Sequence, residues 1–238
     1  MTDTSSALRI VWIYPDLLST YGDRGNVLVL RRRAALRGIP TEIVHVNSGD
    51  PVPEHGDIYL LGGGEDRPQI LAAERLRAQG GLTRAVRNGA CVFAVCAGYQ
   101  IIGETYADNE SNPLPGVGLL DVRSDRGRTR AVGELVAEVA PELGGGRITG
   151  FENHQGRTTI GSSARPLASL VRGIGNDERT EGAYQGQVMG TYLHGPALPR
   201  NPQLADQLLG RRVGQLAPLP PSWGERLHDE RLTAALRQ

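Results

Sequence analysis

The stretch Cys91-Val-Phe-Ala-Val-Cys96-Ala-Gly98-Tyr-Gln100-Ile-Ile-Gly103 decides the fold. Its first five residues are apolar without a break, as expected of a central strand covered on both faces of a parallel sheet. Small residues follow at once, and then a helical run. That is the layout of a sharp strand-to-helix elbow, which lifts the side chain at its apex, Cys96, above the sheet edge. Ala94, Ala97 and Gly98 leave room for the bend and for a substrate against the backbone. The start of the new helix is a positive field that favours a thiolate. The N–H of Ala97 is placed to donate to a tetrahedral oxyanion. Cys91 lies five residues back in the strand, about 16 Å away at ~3.3 Å per residue, beyond the ~7 Å Cα limit for a disulfide. The odd spacing also points the two thiols to opposite faces. A disulfide scaffold is therefore excluded, a reducing compartment fits, and Cys91 reads as an inert core residue.

Working outward, strands and helices alternate on the N-terminal side. Residues 8–14 read as a strand, 26–37 as a helix ended by Gly38 and Pro40, and 41–46 and 57–61 as strands. Residues 68–87 read as one helix, with Pro68 at its start and Asn88-Gly89 at its end. Residues 97–106 read as the elbow helix. This alternation predicts an α/β fold: a mostly parallel open sheet with helices on both faces. After Pro113 the pattern changes. Residues 133–139, 147–151, 167–171 and 187–193 read as strands between Gly-rich turns, some of them antiparallel. Residues 202–211 read as a helix. The expected division is one catalytic domain over 8–212, then a Pro-containing connector and short terminal helix over 213–238.

Composition removes several classes of function. The 238 residues carry 26 basic and 26 acidic side chains, net +0, which argues against nucleic acid or an anionic membrane as a partner. Every basic residue is Arg; there is no Lys. A phosphate-loop lysine and a Schiff base are therefore excluded, and ATP activation by this chain alone is not expected. The start, Met-Thr-Asp-Thr-Ser-Ser, has no basic leader region, and no apolar run reaches the ~18 residues of a membrane span. A cytoplasmic location, with no metal or cofactor held by this chain, is the expectation.

A thiol nucleophile needs a base. His45 falls within a strand, and His55 and His228 fall in polar stretches. His194 ends the apolar run Val188-Met-Gly-Thr-Tyr-Leu-His194, and catalytic groups in open α/β sheets gather at strand C-termini. His194 is the first candidate. His154, in Phe151-Glu-Asn-His-Gln-Gly-Arg157, is the second. Gly62-Gly63-Gly64 closes another strand, and its backbone N–H near Gly63 is a candidate second oxyanion donor. Arg31-Arg-Arg33 reads as a solvated helix face.

Three of these features together, Cys96-Ala-Gly-Tyr-Gln100, Gly62-Gly-Gly64 and Tyr192-Leu-His194-Gly195, resemble class I glutamine amidotransferases of the cobyric-acid-synthase-like type. The resemblance spans about residues 8–211. Ile13-Tyr-Pro-Asp16, Tyr21-Gly-Asp23-Arg-Gly-Asn26, Gly64-Glu-Asp66, Gly150–Thr158 and Gly190–Pro202 are most similar to the free-standing glutaminase subunits of lipid II isoglutaminyl synthases. The resemblance implies that Cys96 attacks the amide of glutamine, that His194 moves the proton, and that N–H groups near Gly63 and Ala97 hold the oxyanion. It implies a heterodimer with a MurT-like, Mur-ligase-type subunit that holds ATP and Mg and receives the ammonia. It also implies an Arg for the glutamine carboxylate. Within Arg126-Gly-Arg128-Thr-Arg130, the family spacing favours Arg130, with Arg128 second. Two positions depart from the family. Ala94 replaces the usual Gly, and Pro196 stands where many members carry a Glu, so the group that orients His194 is not given by the motif and is expected from the partner. Alternatives are an amidotransferase of a corrinoid or other cofactor pathway, a Cys hydrolase of the peptidase type, and a non-catalytic scaffold for a synthetase.

Overall fold

The computed structural model describes residues 7–20 and 22–237. The N-terminal hexapeptide read above for a leader, Tyr21 of the family stretch, and Gln238 lie outside the described residues. In chain order the N-terminal half runs β1 (Leu8–Ile13), α1 (Arg24–Ala35), β2 (Thr41–Val46), β3 (Ile58–Leu61), α2 (Asp66–Gln79), α3 (Gly81–Arg87), β4 (Cys91–Val95) and α4 (Ala97–Ile101). The remainder runs β5 (Thr105–Ala107), β6 (Pro113–Pro115), β7 (Val122–Val139), β8 (Arg147–Ile160), β9 (Arg165–Arg172), β10 (Thr180–Gln185), β11 (Val188–Thr191), α5 (Ala197–Arg200), α6 (Pro202–Val213) and α7 (Trp223–Arg237).

One mixed sheet joins all the strands, in the order β2-β1-β3-β4-β11-β10-β9-β7-β5-β6, with β8 paired to β7. From β2 to β11 every pairing is parallel; β11-β10, β10-β9, β9-β7 and β7-β8 are antiparallel. The last strand in sequence, β11, thus lies beside β4 in the middle of the sheet. All residues of β3, β4 and β11 are buried. A parallel strand covered on both faces needs this unbroken apolar run, and β4 supplies it. The expected parallel core with antiparallel strands in the C-terminal part is what the chain forms.

Several element boundaries differ from the sequence reading. The helix expected over 68–87 is two helices, broken where Gly80 takes a left-handed conformation at φ +64°. The elbow helix stops at Ile101, and residues 105–107 become a short strand between β7 and β6 instead. Strands β7 and β8 are far longer than the segments 133–139 and 147–151. Arg33 is not solvated: it is 7% exposed, makes two bonds to Asp206 (2.6 and 2.7 Å) and one to Glu225 (3.0 Å). Arg37 shares Asp206 at 2.7 Å. This cluster ties α1 to α6 and α7, and α7 also lies against α5, β7 and β8. His228 is part of that docking, with Nδ1 2.9 Å from the Arg200 carbonyl oxygen.

Candidate active site

The site starts from the backbone of Cys96. It sits one residue past β4 with φ +51° and ψ −107°. A non-glycine residue held there costs roughly 1–3 kcal/mol and persists only when its surroundings fix it. They do: the Cys96 N–H donates to the Thr191 carbonyl (2.8 Å), Gln100 N–H donates to the Cys96 carbonyl (3.0 Å), and Gly98 N–H donates to the Gly62 carbonyl (3.1 Å). The side chain is 8% exposed and looks into a pocket also lined by Gln100, Arg130, Asn153 and His154. Burial pushes the thiol up to about 12; the Ala97 N–H directed at the sulfur pulls the other way, the charge of Asp23 adds to the rise, and Arg130 opposes it. The expected resting thiolate therefore gives way to a neutral thiol, because burial outweighs the pull of the Ala97 N–H and Arg130. Cys91 is buried mid-sheet, and both cysteines are free.

His194 lies just beyond the end of β11, the neighbour of β4, so the two candidate groups stand at adjacent strand C-termini. Its backbone pairs with Phe151 of β8, donating to that carbonyl at 2.8 Å and accepting that N–H at 3.1 Å. It is 1% exposed, and burial, followed by the charge of His154, brings its imidazole down to about 4. His194 is thus a neutral imidazole at physiological pH. His154 is placed differently. Its ring stacks on Tyr192 (3.7 Å between centroids, 11°). Its Nδ1 is 3.0 Å from the Gly156 carbonyl and its Nε2 is 3.3 Å from Glu152. With both ring nitrogens engaged, His154 forms a wall of the pocket rather than a proton acceptor for Cys96. Glu152 is held in turn by the N–H groups of Ile174 (2.8 Å) and Gly175 (2.9 Å).

Arg130 reaches the pocket through a bulge. The β7–β8 register passes from Arg126↔Gly156 to Ala131↔His154, so residues 127–130 face Gln155 alone. Gln155 Nε2 donates to the Gly127 carbonyl (3.0 Å) and Arg157 donates to that of Thr129 (3.2 Å), which pins the bulge. Arg130 Nε then donates to Asn153 Oδ1 at 2.7 Å. Arg126 and Arg130 line the pocket; Arg128, on the same bulge, is not among its lining residues. Gly63 has both backbone groups engaged: its N–H donates to Asp23 Oδ2 (2.7 Å) and its carbonyl accepts from Thr20 (3.2 Å). The expected oxyanion donor of that turn is therefore already bonded, and Gly64 is the glycine of the three that lines the pocket.

Beneath the pocket runs a polar network that the sequence did not suggest. Gln69 donates to Gln100 (2.7 Å), Gln100 to the Tyr192 hydroxyl (3.2 Å), and that hydroxyl meets Thr158 (2.7 Å), itself 2.8 Å from Ser124. Gln100 and Tyr192 stood in family motifs and Thr158 ended a family stretch; Gln69 on α2 and Ser124 on β7 are single polar residues without a motif signal. Of the remaining histidines, His45 is exposed on the edge strand β2 against Trp12, and His55 is exposed. Among the described residues no group of three or more His, Cys, Asp or Glu is arranged to hold a metal ion.

Glu181 is wholly buried next to the strand that leads to His194. One oxygen accepts from the Thr191 hydroxyl and from the Tyr192 N–H (2.9 Å); the other has no hydrogen-bond partner among the described residues. Burial raises this carboxyl to about 7 from 4.5. The folded state then keeps a proton that the unfolded chain loses near 4.5, so this stabilising contribution is full below 4.5 and is lost as pH rises to about 7. Glu181→Gln is expected to match the wild type at pH 4 and to exceed it at pH 8 by on the order of 3 kcal/mol. Urea unfolding midpoints at the two pH values check this; a constant offset between the proteins at both would refute it.

Residues 9–202 match the CobB/CobQ-like glutamine amidotransferase domain, and the chain belongs to that family. It is 35% identical over 204 residues to the lipid II isoglutaminyl synthase (glutamine-hydrolyzing) subunit GatD of Staphylococcus aureus, covering 85% of this chain and 83% of that protein. It is 34% identical over 222 residues to the same-named subunit of Streptococcus pneumoniae, covering 90% and 85%. A cobyric acid synthase of Cereibacter sphaeroides is 36% identical over 203 residues, which span 79% of this chain but 38% of that one. Among solved structures, a glutamine amidotransferase superposes with a TM-score of 0.57 at 19% identity, covering 87% of this chain and all of the other. One from Thermotoga maritima gives 0.53 at 12% identity, covering 98% and 100%. These two share the fold.

Proposed function

We propose that this chain is the glutaminase subunit of a lipid II isoglutaminyl synthase. It hydrolyses glutamine and hands the ammonia to a Mur-ligase-type, MurT-like partner, which activates the stem-peptide glutamate carboxylate with ATP and Mg. The observation that carries the reading is the cysteine at a fixed, positive-φ elbow beside the His194 strand end, opening on a pocket that Arg130 lines. Similarity to the two GatD subunits over most of both chains supports the acceptor assignment.

In this mechanism Arg130 binds the α-carboxylate of glutamine, as a planar guanidinium suits. The pair rests as thiol and neutral imidazole, so His194 takes the thiol proton as sulfur attacks the side-chain amide carbon. Backbone N–H groups at Ala97 and the glycine turn hold the developing oxyanion. His194 returns the proton to the departing ammonia, leaving a glutamyl thioester. Water, deprotonated by the same imidazole, then releases glutamate and restores the thiol.

The test is to combine this chain with the Mur-ligase-type protein that co-purifies with it, and to measure glutamate release together with amide gain on lipid II. Amide transfer to a corrinoid and none to lipid II would favour the alternative pathway. Neither product would favour a scaffold. Within this reading Arg130→Ala is expected to raise the glutamine KM by ten-fold or more while changing kcat much less. A carboxylate clamp binds ground and transition states alike. A collapse of kcat at unchanged KM would remove Arg130 from the role, and Arg128 would be tested next.

A further inference from the structure

The stretch Asp23-Arg-Gly-Asn26 at the start of α1 has no part in the chemistry above, yet two of its polar side chains are buried at 3% exposure each. Asp23 occupies the N-cap position of α1 but makes no side-chain cap bond to its own helix. An Asp there normally caps, at a gain of about 1 kcal/mol. Here the carboxylate turns away and accepts the Gly63 N–H at 2.7 Å. Asn26 is equally committed elsewhere: its Oδ1 accepts the Leu198 N–H at 2.9 Å, and its Nδ2 lies 3.5 Å from Asp23 Oδ1. Gly62 and Gly25, packed against these residues, permit no substituent. A Cβ on Gly62 would lie 2.2 Å from the Leu18 carbonyl oxygen and 2.5 Å from Asp23 Oδ2, and one on Gly25 would lie 2.3 Å from Pro196 Cγ.

These contacts close a ring. The elbow helix holds the glycine turn through Gly98 N–H and the Gly62 carbonyl. Asp23 holds the same turn through Gly63, and Asn26 holds the segment that follows His194. We propose that Asp23 and Asn26 are positioning residues that keep the oxyanion turn in register with the His194 segment, and that with Gly63 anchored the turn presents Gly64 to the reacting carbonyl. The proposal rests on the glutaminase reading. A buried carboxylate so near a nucleophilic sulfur has a cost as well: the charge of Asp23 opposes thiolate formation at Cys96. Its hydrogen bond to the turn is what offsets that cost. The other groups that act on the sulfur are the Ala97 N–H, Arg130 and Glu65.

The experiment compares Asp23→Ala, Asp23→Asn and Asn26→Ala with the wild type in the full complex. It measures glutamine-dependent and ammonia-dependent amidation, and the pH dependence of Cys96 alkylation by iodoacetamide in the full chain. Asp23→Ala and Asn26→Ala are expected to lose about 100-fold in glutamine-dependent kcat, the scale of a misplaced oxyanion donor. The glutamine KM should stay within about three-fold, because Arg130 is untouched, and ammonia-dependent turnover should persist. Asp23→Asn keeps an acceptor for Gly63 and should recover part of the rate. Both Asp23 variants should alkylate at lower pH than the wild type, because a negative charge is gone. Unchanged kcat in the Ala variants, loss of ammonia-dependent turnover alongside the glutamine reaction, or no advantage of Asn over Ala at position 23 would overturn the proposal. Should Asp23→Ala fail to fold, Asn26→Ala carries the test: a glutamine-dependent kcat equal to the wild type overturns the proposal. A wild-type complex without glutaminase activity would instead sink the functional reading itself.

Discussion

Cys96→Ala is expected to abolish glutamine-dependent amidation by the complex while leaving amidation with free ammonia intact. The sulfur is the sole nucleophile proposed at the elbow, so its loss removes the thioester route altogether. In the proposed division of labour the acceptor carboxylate is activated on the partner, so the substitution leaves that step in place. Assays with glutamine and with ammonium chloride, at equal protein concentration, separate the two reactions. Equal loss with both donors would show that this chain does more than supply nitrogen. Cys91→Ala is the internal control. It removes one buried sulfur from the same strand, bonded only weakly to Gln187 at 3.4 Å, and should leave activity nearly intact.

His194→Asn should lower glutamine-dependent kcat by about 10³-fold, the usual scale for removing a general base from a nucleophile pair. Its pH signature is specific. The folded imidazole is lowered to about 4 from 6.5, so the base form persists as pH falls, and the acid limb that it sets should lie near 4 rather than 6.5. For stability the sign is fixed too. The unfolded chain takes up the proton near 6.5 and the folded chain does not, so this contribution is present above 6.5 and declines as pH falls toward 4. His194→Asn should remove that decline, which unfolding at pH 7 and pH 5 would reveal. An acid limb unchanged in the residual activity of the variant would assign it to another group.

The parallel core and the elbow were legible because their signals are local. Five apolar residues, one cysteine and a run of small residues are contiguous, and burial on both faces leaves no other reading of them. The clamp was legible only in part. Residues 122–131 drew no strand assignment from the sequence, because the bulge at 127–130 breaks the strand alternation and seven of those ten positions are partly or fully exposed. Pairing with β8 makes it a strand, and that pairing is set by residues some thirty positions away. Arg33 failed for a similar reason. Three consecutive arginines look solvated until Asp206 and Glu225 are folded against one of them. Asp23 stood in the family stretch, but its acceptor role depends on Gly63, forty residues on, and nothing in the local pattern announces that a helix cap will face the wrong way.

The central place of β11 has a consequence for how the chain reaches this state. Until residue 191 has been made, β4 is the edge of a four-stranded sheet, and its exposed rim is Cys-Val-Phe-Ala-Val. An apolar edge of that kind is a template for unwanted pairing, and long-range strand insertion is slow because its loop-closure entropy is met first. At ~5–20 residues per second, the 92 residues between β4 and β11 leave that edge open for roughly 5–20 seconds of synthesis. The element that completes the base therefore also ends the most aggregation-prone interval of biosynthesis, and a chain truncated before β11 should be recovered in inclusion bodies rather than as a soluble, inactive half.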